Sequence, residues 1–320
     1  MCNIRIGIIG TGRIAKRFVV DVKGLSGINI NVIYNPHIDS AIRFSKELGG
    51  LKVAYSLRDF MRQCDVVYVA SPHETHAYYT NLAIDADKHV ICEKPMFLSS
   101  NDAKKILRNS KEKNRYIMEA IKTKYCPGYK KLLEISREGI IGNVKDVEAC
   151  FTKLESVNAR ELTNREYGGS FKELGTYCLL PIYDLLGDDY KNIHYFYLDN
   201  DFGIDLYSKL MFDYGDRCGT VKVGLGVKSE GQLIISGTNG YIIVRSPWWK
   251  TSHFEIHYED PGKVDVFDIP YEGEGLRYEL EEMVNMIRAT KQENVLDEEQ
   301  MIFMSKIMES FTIHTRGDQL

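Results

Sequence analysis

A glycine pattern near the start of the chain, Gly10-Thr11-Gly12-Arg13-Ile14-Ala15, is typical of one kind of strand–turn–helix unit. It follows a strand-like apolar run, Arg5–Ile9, and opens an amphipathic segment, Ile14–Val22. In this context the first glycine permits a tight turn, the second lets the backbone approach a pyrophosphate, and the alanine keeps helix and strand close. The helix N-terminus adds free N–H groups for phosphates. We therefore expect a dinucleotide site here; the alternative is a strand–helix turn that merely needs glycines.

The first third of the chain alternates short apolar runs with amphipathic segments. Apolar runs that are buried on both sides are typical of a parallel sheet with helices on both faces. The expected strands are Arg5–Ile9, Asn29–Tyr34, Val66–Ala70, His89–Cys92 and Tyr116–Glu119. The expected helices are Ile14–Val22, Ser40–Leu48, Leu57–Gln63, Thr75–Ala86 and Asn101–Lys113. This rhythm predicts an α/β Rossmann domain, a doubly wound parallel sheet over residues 1–121.

Beyond residue 122 the pattern changes to long β-rich runs. Helical segments at Gly128–Glu138 and around Tyr177–Leu186 accompany them, and two more close the chain at Leu276–Ala289 and Glu298–His314. Turn sequences such as Thr238-Asn239-Gly240 indicate hairpins, which favour an antiparallel sheet. The sequence thus predicts a second α/β domain over residues 122–320, with a large, mostly antiparallel sheet.

Composition excludes several classes of function. With 320 residues, 44% hydrophobic and 27% charged, the chain has ordinary globular composition and length for two domains. A net charge of −4 gives no reason to expect nucleic acid or an anionic membrane as partner. The 7 cysteines are an odd number, widely spaced, and no leader pattern precedes the first strand. We expect a cytoplasmic protein with reduced thiols and no membrane span.

The choice of cofactor depends on the end of the second strand. A carboxylate there would hold the ribose hydroxyl of NAD, but the chain has Tyr34-Asn35-Pro36-His37. No acidic group repels a 2′-phosphate, although no arginine follows directly. Positive charge is available from Arg13, His37 and Arg43. We expect NAD(P) with a preference for NADP, and include Asn35 and His37 in the cofactor site.

The first catalytic candidate is Lys94, in Cys92-Glu93-Lys94-Pro95 at the end of the fourth strand. Ligands of doubly wound sheets bind at the carboxyl ends of the strands, which directs Glu93 and Lys94 towards the cofactor. A lysine there can hydrogen-bond the reacting hydroxyl and lower the pKa of a neighbouring acid. The alternative is a surface Glu–Lys pair in a loop.

The second candidate is the stretch Gly168–Tyr177, in which Glu173 and Tyr177 are four residues apart and share a helix face. A tyrosine beside a lysine is a reasonable general acid–base pair because the positive charge lowers the pKa of the phenol. The alternative is a tyrosine packed in the core with its hydroxyl bonded to Glu173.

The segment Ser71-Pro72-His73-Glu74-Thr75-His76 contains an HxxH spacing. No further ligands accompany it, so we expect no metal. Ser71, Pro72 and His76 are expected to line the nicotinamide side of the cofactor site. For the pair Trp248-Trp249 we expect packing rather than ligand contact.

Together these motifs resemble the glucose–fructose oxidoreductase, inositol dehydrogenase and MocA (Gfo/Idh/MocA) family. The resemblance is carried by Gly10–Ala15, Ser71–His76, Lys88–Pro95, Gly168–Tyr177 and Tyr271–Glu279. Tyrosine at 177, where many members have histidine, is most similar to the dihydrodiol dehydrogenase branch. The sequence departs from the family at Glu173, usually aspartate, and at Ser170, often a third glycine.

The resemblance implies a Rossmann domain plus a domain with an open-faced sheet that forms a homodimer or homotetramer. It also implies that Lys94 and Tyr177 are the catalytic pair, with Glu173 in an orienting role. The expected reaction is hydride transfer between the nicotinamide and a secondary alcohol or carbonyl of a sugar, polyol or diol. The alternatives are a non-catalytic dinucleotide- or sugar-binding regulator and a reductase of an imine or unsaturated compound.

Overall fold

The computed structural model describes residues 3–289 and 298–316, with the side chain of the last residue excluded. The chain forms two compact units. The first comprises Met1–Ile121 with Gly273–Glu309, and the second comprises Lys122–Glu272 with Ser310–Leu320. The division after residue 121 coincides with the expected domain boundary, but Gly273–Glu309 group with the first unit rather than with the second.

The sheet of the first unit has five parallel strands in the order β2-β1-β3-β4-β5. This confirms the predicted doubly wound sheet. Every residue of β3 and β5 is buried, as expected for strands covered on both faces. The strands are β1 (Ile4–Ile9), β2 (Ile28–Tyr34), β3 (Val66–Val69), β4 (His89–Glu93) and β5 (Ile117–Ala120).

The helices of the first unit follow the predicted segments to within two residues at most ends. They are α1 (Arg13–Asp21), α2 (Ile38–Glu47), α3 (Leu57–Met61), α4 (His76–Asp85) and α5 (Ser100–Glu112). A late helix, α10 (Leu276–Arg288), packs against α1, β4 and β5. The Asp21 carboxylate fixes the start of α10, because it accepts hydrogen bonds from the backbone N–H groups of Glu274 and Arg277. These contacts explain why residues near 280 belong to the first unit.

The second unit contains an eight-stranded sheet in the order β13-β12-β11-β10-β6-β9-β8-β7. Only the pair β6 and β9 is parallel, so the predicted mostly antiparallel sheet is confirmed. The first strands are β6 (Val144–Thr152), β7 (Asn192–Asp199), β8 (Asp205–Asp213) and β9 (Cys218–Gly224). The others are β10 (Leu233–Gly237), β11 (Gly240–Val244), β12 (His253–Tyr258) and β13 (Val264–Asp268).

One helix, α9 (Ser170–Leu186), covers one face of this sheet by packing on β6, β8 and β9. The opposite face is open and carries exposed apolar side chains, considered below. The other helices of the unit are α6 (Lys122–Tyr125), α7 (Pro127–Arg137) and α8 (Arg160–Thr163). The last helix, α11 (Glu298–Arg316), begins in the first unit and ends in the second. None of the helices in the described part of the chain is long and apolar enough to cross a bilayer.

Candidate functional site

The glycine turn after β1 is fixed by contacts with its neighbouring strands. Gly10 has a φ of 102° and donates its N–H to the Tyr34 carbonyl at 2.9 Å. A Cβ at this position would lie 2.4 Å from the Ala70 carbonyl oxygen. Glycine is therefore required here both by backbone conformation and by the close approach of β3.

Gly12 has a different environment, since a Cβ placed on it would meet no atom within 4 Å. Packing within the protein therefore does not explain the glycine. Gly12 is also the N-cap of α1 and, as a glycine, provides no side-chain cap for the first turn of that helix. A cradle that a Cβ would fill, next to uncapped N–H groups, fits the pyrophosphate of a dinucleotide.

Asn35 connects the end of β2 to the glycine turn. Its Nδ2 donates to Thr11 Oγ1 at 2.7 Å, and its Oδ1 accepts from the backbone N–H of His37 at 2.8 Å. The amide thus orders this corner of the site without adding negative charge. Arg43, on α2, donates to Ser40 Oγ at 3.2 Å.

Lys94 directly follows β4 and is half-buried. The preceding Glu93 is buried and accepts a hydrogen bond from the Tyr68 hydroxyl and another from the Lys94 backbone N–H. Two residues further on, Met96 donates its N–H to the Glu119 carboxylate at 2.9 Å. Two carboxylates, those of Glu93 and Glu119, therefore fix the loop that bears Lys94 to the sheet. Lys94 lies at the same edge of the sheet as Gly10 and Asn35.

His76 is fully buried at the start of α4. Its Nδ1 lies 2.8 Å from the Pro95 carbonyl oxygen, and its Nε2 lies 2.8 Å from the Ser71 carbonyl oxygen. Burial lowers the pKa of His76. The ring therefore joins the loops after β3 and β4, next to Lys94, and both of its nitrogens are occupied by backbone carbonyls. This is a structural role for the second histidine of the HxxH spacing.

Metal ligation has no support from the described residues. Within residues 3–289 and 298–316, no cluster of three or more His, Cys, Asp or Glu side chains has the arrangement of a metal site. The HxxH spacing places the ring centroids of His73 and His76 5.5 Å apart in an edge-on contact. Since His76 already faces two carbonyl oxygens, this pair is a packing contact.

In the second unit, the start of α9 is anchored by a residue that no sequence pattern singled out. The Asp205 carboxylate, at the start of β8, accepts from the Phe171 backbone N–H at 2.8 Å and from Ser208 Oγ at 2.6 Å. Burial raises the pKa of Asp205 to about 7, while the bonds from Ser208 and Phe171 lower it. Asp205 thus acts as a tertiary cap for the helix that carries Glu173 and Tyr177.

The residues before α9 explain two features of the sequence. Gly169 has a φ of 115°, and a Cβ on it would lie 2.0 Å from Asp205 Oδ1. Ser170 is buried; its hydroxyl donates to the Asp205 carbonyl at 2.8 Å and accepts from the Leu225 N–H at 2.9 Å. Gly169 therefore permits close approach rather than flexibility. Ser170 joins the start of α9 to Asp205, at the start of β8, and to Leu225, directly after β9.

Glu173 and Tyr177 emerge on one face of α9. From Phe171 to Ile182 they are the two residues that remain half-buried, while their neighbours are buried. One aromatic side chain adjoins Tyr177: the Phe151 ring packs edge-on against it at 5.2 Å between centroids. Trp249 in turn stacks on Phe151 at 3.5 Å between centroids. Trp248 is fully buried and donates its indole N–H to the Cys150 carbonyl at 2.8 Å. Sequence reasoning did not select Phe151 or Trp249 as neighbours of Tyr177, because they are distant in the chain.

The comparisons with known proteins agree with this architecture. Residues 4–121 match the model of an oxidoreductase family with an NAD-binding Rossmann fold, the Gfo/Idh/MocA family. The chain is 27% identical over 325 residues to the scyllo-inositol 2-dehydrogenase (NADP(+)) IolU of Bacillus subtilis, covering 96% of this chain and 95% of that one. It is 24% identical over 290 residues to the trans-1,2-dihydrobenzene-1,2-diol dehydrogenase of Xenopus laevis, covering 86% of each.

Solved structures share the fold over nearly the whole length. KijD10, a 3-ketoreductase from Actinomadura kijaniata in complex with TDP-benzene and NADP, matches with a TM-score of 0.79 at 19% identity, covering 96% of each chain. The UDP-N-acetylglucosamine 3-dehydrogenase GnnA from Acidithiobacillus ferrooxidans matches with a TM-score of 0.80 at 16% identity, covering 97% of each.

Proposed function

We propose that this chain, whose residues 4–121 match the Gfo/Idh/MocA oxidoreductase model with its NAD-binding Rossmann fold, belongs to that family and transfers a hydride between nicotinamide C4 and a secondary alcohol or carbonyl carbon. The substrate class is a sugar, polyol or diol. Relatives named for such reactions include the inositol and dihydrodiol dehydrogenases. A D-xylose 1-dehydrogenase (NADP(+)) of Hypocrea jecorina is 27% identical over 208 residues.

The cofactor is a nicotinamide dinucleotide, and we propose that NADP is preferred. The observation that carries the cofactor assignment is the environment of Gly12. A Cβ on Gly12 would meet no atom within 4 Å, so packing does not explain the glycine. Gly12 also leaves the first turn of α1 without a cap from its own side chain, so the N–H groups of that turn can bind phosphate. Preference for NADP is supported by Asn35 at the end of β2, since an amide does not repel a 2′-phosphate as a carboxylate would. Arg13, His37 and Arg43 are the nearby sources of positive charge.

The bound cofactor supplies the hydride chemistry, and the chain supplies placement and proton transfer. In the direction of oxidation, Tyr177 accepts the proton of the substrate hydroxyl as its carbon loses the hydride and becomes a carbonyl carbon. Lys94 positions that hydroxyl and lowers the pKa of Tyr177, and Glu173 orients one of these groups. In the reverse direction Tyr177 returns the proton to the oxygen.

The aromatic residues beside Tyr177 favour a substrate with an apolar face. Phe151 contacts the Tyr177 ring, and Trp249 stacks on Phe151. Rings of this kind pack against the C–H faces of sugars and cyclic diols, while polar groups fix their orientation. This arrangement supports the proposed substrate class over a strongly charged substrate.

A direct test is a fluorescence titration of the purified chain with NADH and NADPH. The oxidised form of the tighter cofactor is then supplied with a panel of polyols, aldoses and cyclic diols, while absorbance of the reduced nicotinamide is followed. Reduction with any panel member supports the proposal. Cofactor binding without turnover on the panel would instead favour a non-catalytic regulator. Consumption of NADPH only with imines or activated alkenes would favour a reductase of such compounds.

We also propose that the chain is a homodimer or homotetramer that associates through the open face of its sheet. This face exposes Phe196, Leu198 and Met211 at 54%, 46% and 45%. Met211 lies between Leu210 and Phe212, which are buried on the α9 side of the sheet, so its own side chain is on the opposite face. Strand register places Phe196 and Leu198 on the same face as Met211. An exposed apolar patch of this kind is typical of a subunit interface. Sedimentation velocity of the full chain and of Met211→Lys tests it: the variant should shift towards the monomer.

The cytoplasm is the proposed compartment. Of the 6 described cysteines, Cys64, Cys92, Cys126, Cys150 and Cys178 are buried free thiols, and Cys218 is exposed. Such thiols suit a reducing environment. Fractionation of cells producing the chain checks this location.

A further inference from the structure

A pocket of about 470 Å³ on the first unit has no role in the proposed reaction. It is lined by α3, by the end of α4 and by Lys88, which directly precedes β4. Helices of a doubly wound sheet run back antiparallel to the strands, so the ends of α3 and α4 lie at the amino edge of the sheet. Gly10 and Lys94 follow the carboxyl ends of β1 and β4. The pocket is therefore at the opposite edge from the dinucleotide site.

The floor of the pocket is apolar. Leu57, Leu82 and Ala86 are partly buried against the core of the unit, and Met61 is part of that core. Its volume is within the range of about 300–1,000 Å³ that small-molecule sites occupy. A concave apolar surface of this size takes the hydrocarbon part of a ligand.

The rim of the pocket is cationic. Arg58 and Arg62 are exposed and lie four residues apart at α3, and Lys88 is half-buried. Within residues 3–289 and 298–316, the side chains of Arg58 and Arg62 form no hydrogen bond or ion pair. Lys88 interacts electrostatically with Asp65, whose carboxylate is already bonded to Arg5. Guanidinium groups present several N–H donors in a planar fork that matches carboxylate, sulfate and phosphate oxygens.

The one acidic lining residue, Asp85, does not neutralise this rim. Its Oδ2 accepts from Asn81 Nδ2 at 2.9 Å, and its Oδ1 accepts from Asn109 Nδ2 at 2.8 Å. The Asp85 backbone carbonyl, near the end of α4, accepts from Lys113 Nζ at 3.0 Å. The negative groups at this helix end are thus already bonded, whereas Arg58 and Arg62 have no bonded partner within residues 3–289 and 298–316.

We infer that the pocket formed by α3, the end of α4 and Lys88 binds an amphipathic organic anion, with Arg58, Arg62 and Lys88 holding the anionic group and the apolar floor holding the hydrocarbon body. The site is independent of the proposed reaction. Because it lies at the other edge of the sheet, the anion and the dinucleotide bind simultaneously.

Octyl sulfate, below its micellar concentration, is the probe. Isothermal titration calorimetry of the full chain in excess NADP⁺ should give one bound octyl sulfate per chain. Octanol lacks the charge and inorganic sulfate lacks the hydrocarbon, so each should bind at least about tenfold more weakly. Octanol binding as tightly as octyl sulfate would overturn the role of the cations.

Two variants and one control locate the binding. The double variant Arg58→Glu, Arg62→Glu should weaken octyl sulfate binding by about tenfold or more, through lost charge-assisted hydrogen bonds. Ala86→Phe, which fills the pocket without changing charge, should have a similar effect. Lys104→Glu, an exposed charge reversal on α5, should have none, and thermal melting confirms that all four proteins are folded.

Equal affinity in the four proteins would overturn the inference. It would also be overturned if the wild type self-associates and the double variant is monomeric, because the occupant of the pocket would then be a second copy of the chain. Sedimentation velocity on the same samples distinguishes this case.

Discussion

The Asp205 carboxylate and the Phe171 backbone N–H, 34 residues apart in the chain, are joined by a hydrogen bond of 2.8 Å. The bond ties the start of β8 to the first turn of α9. Asp205 also accepts from Ser208, and the close approach requires glycine at position 169. The direction of the helix that bears Glu173 and Tyr177 is therefore set by a residue outside that helix.

The first prediction concerns this cap. Asp205→Ala leaves the Phe171 N–H and the Ser208 hydroxyl buried without their acceptor, at a cost of about 1–3 kcal/mol each. We expect the free energy of unfolding of the variant to fall by about 2–4 kcal/mol in urea denaturation, with reduced kcat and unchanged cofactor affinity. Asp201→Ala, at an exposed position of the preceding turn, is the control. Similar losses in both variants would contradict the capping role.

The second prediction separates the two glycines of the turn after β1. Gly12→Ala places a methyl group where a Cβ meets no protein atom, so stability should be unchanged and NADPH affinity should fall by about tenfold or more. Gly10→Ala forces a positive φ and a clash with the Ala70 carbonyl, so its melting temperature should drop. Thermal melting and NADPH titration of both variants measure this contrast. A stable Gly12→Ala protein with wild-type affinity would exclude the pyrophosphate from this position.

The third prediction addresses proton transfer. Lys94→Met removes the charge that we propose positions the substrate hydroxyl. We expect kcat to fall by about two to four orders of magnitude, the usual contribution of general acid–base catalysis. The dissociation constant for NADPH should remain nearly unchanged. Steady-state kinetics with Lys104→Met as the matched control checks this. Unchanged turnover would remove Lys94 from the mechanism.

The fourth prediction concerns cofactor choice. In Asn35→Asp the carboxylate keeps an acceptor for the His37 N–H but adds a negative charge facing a 2′-phosphate. NADPH affinity should fall by about tenfold relative to NADH affinity. Asn35→Leu, similar in shape and uncharged, separates this repulsion from loss of the hydrogen bonds. If the ratio of NADPH affinity to NADH affinity is the same for the two variants, charge at this position does not select the cofactor.

The fifth prediction is a pH dependence of stability from His89. Its Nδ1 accepts from the Tyr116 backbone N–H at 2.9 Å, and burial lowers its pKa from 6.5 to about 4. Between these values the unfolded chain binds a proton that the folded chain does not, so this contribution is present above pH 6.5 and is lost as the pH falls towards 4.

A comparison with His89→Asn isolates this effect. The stability advantage of the wild type over the variant, from urea denaturation at several pH values, should shrink as the pH falls from about 6.5 to 4. His194→Asn, at an exposed position of β7, should show no such trend. A difference between wild type and His89→Asn that is independent of pH would contradict the assignment.

Local patterns predicted most of the first unit. The strands β1 to β5 begin and end within one residue of the expected runs, because fully buried parallel strands are continuous apolar segments. The start of α9 was predicted less well. The helix was expected around Tyr177–Leu186, with Glu173 on the same helix face, whereas α9 begins at Ser170. The helix begins there because the Phe171 N–H bonds to Asp205, which is 34 residues away in the chain and is not visible in a local pattern.

The placement of Gly273–Glu309 with the first unit was also outside the reach of sequence reasoning. Helix α10 was expected from its periodicity, but its packing on β4, β5 and α1 is not encoded in its own pattern. The amphipathic face of a helix shows that it packs against something and does not specify what.

Local sequence patterns were enough to predict the parallel sheet, the glycine turn proposed to bind a dinucleotide, and the positions of Lys94 and Tyr177 at the ends of their motifs. These depend on local physics: periodic burial, the conformational freedom of glycine, and the free N–H groups at a helix start. Three contacts became visible only in the folded chain: His76 lies between two backbone carbonyls, Asp205 anchors α9, and Phe151, with Trp249 stacked on it, packs against Tyr177. Each of these joins residues distant in the chain, and such contacts exist only after the chain has folded.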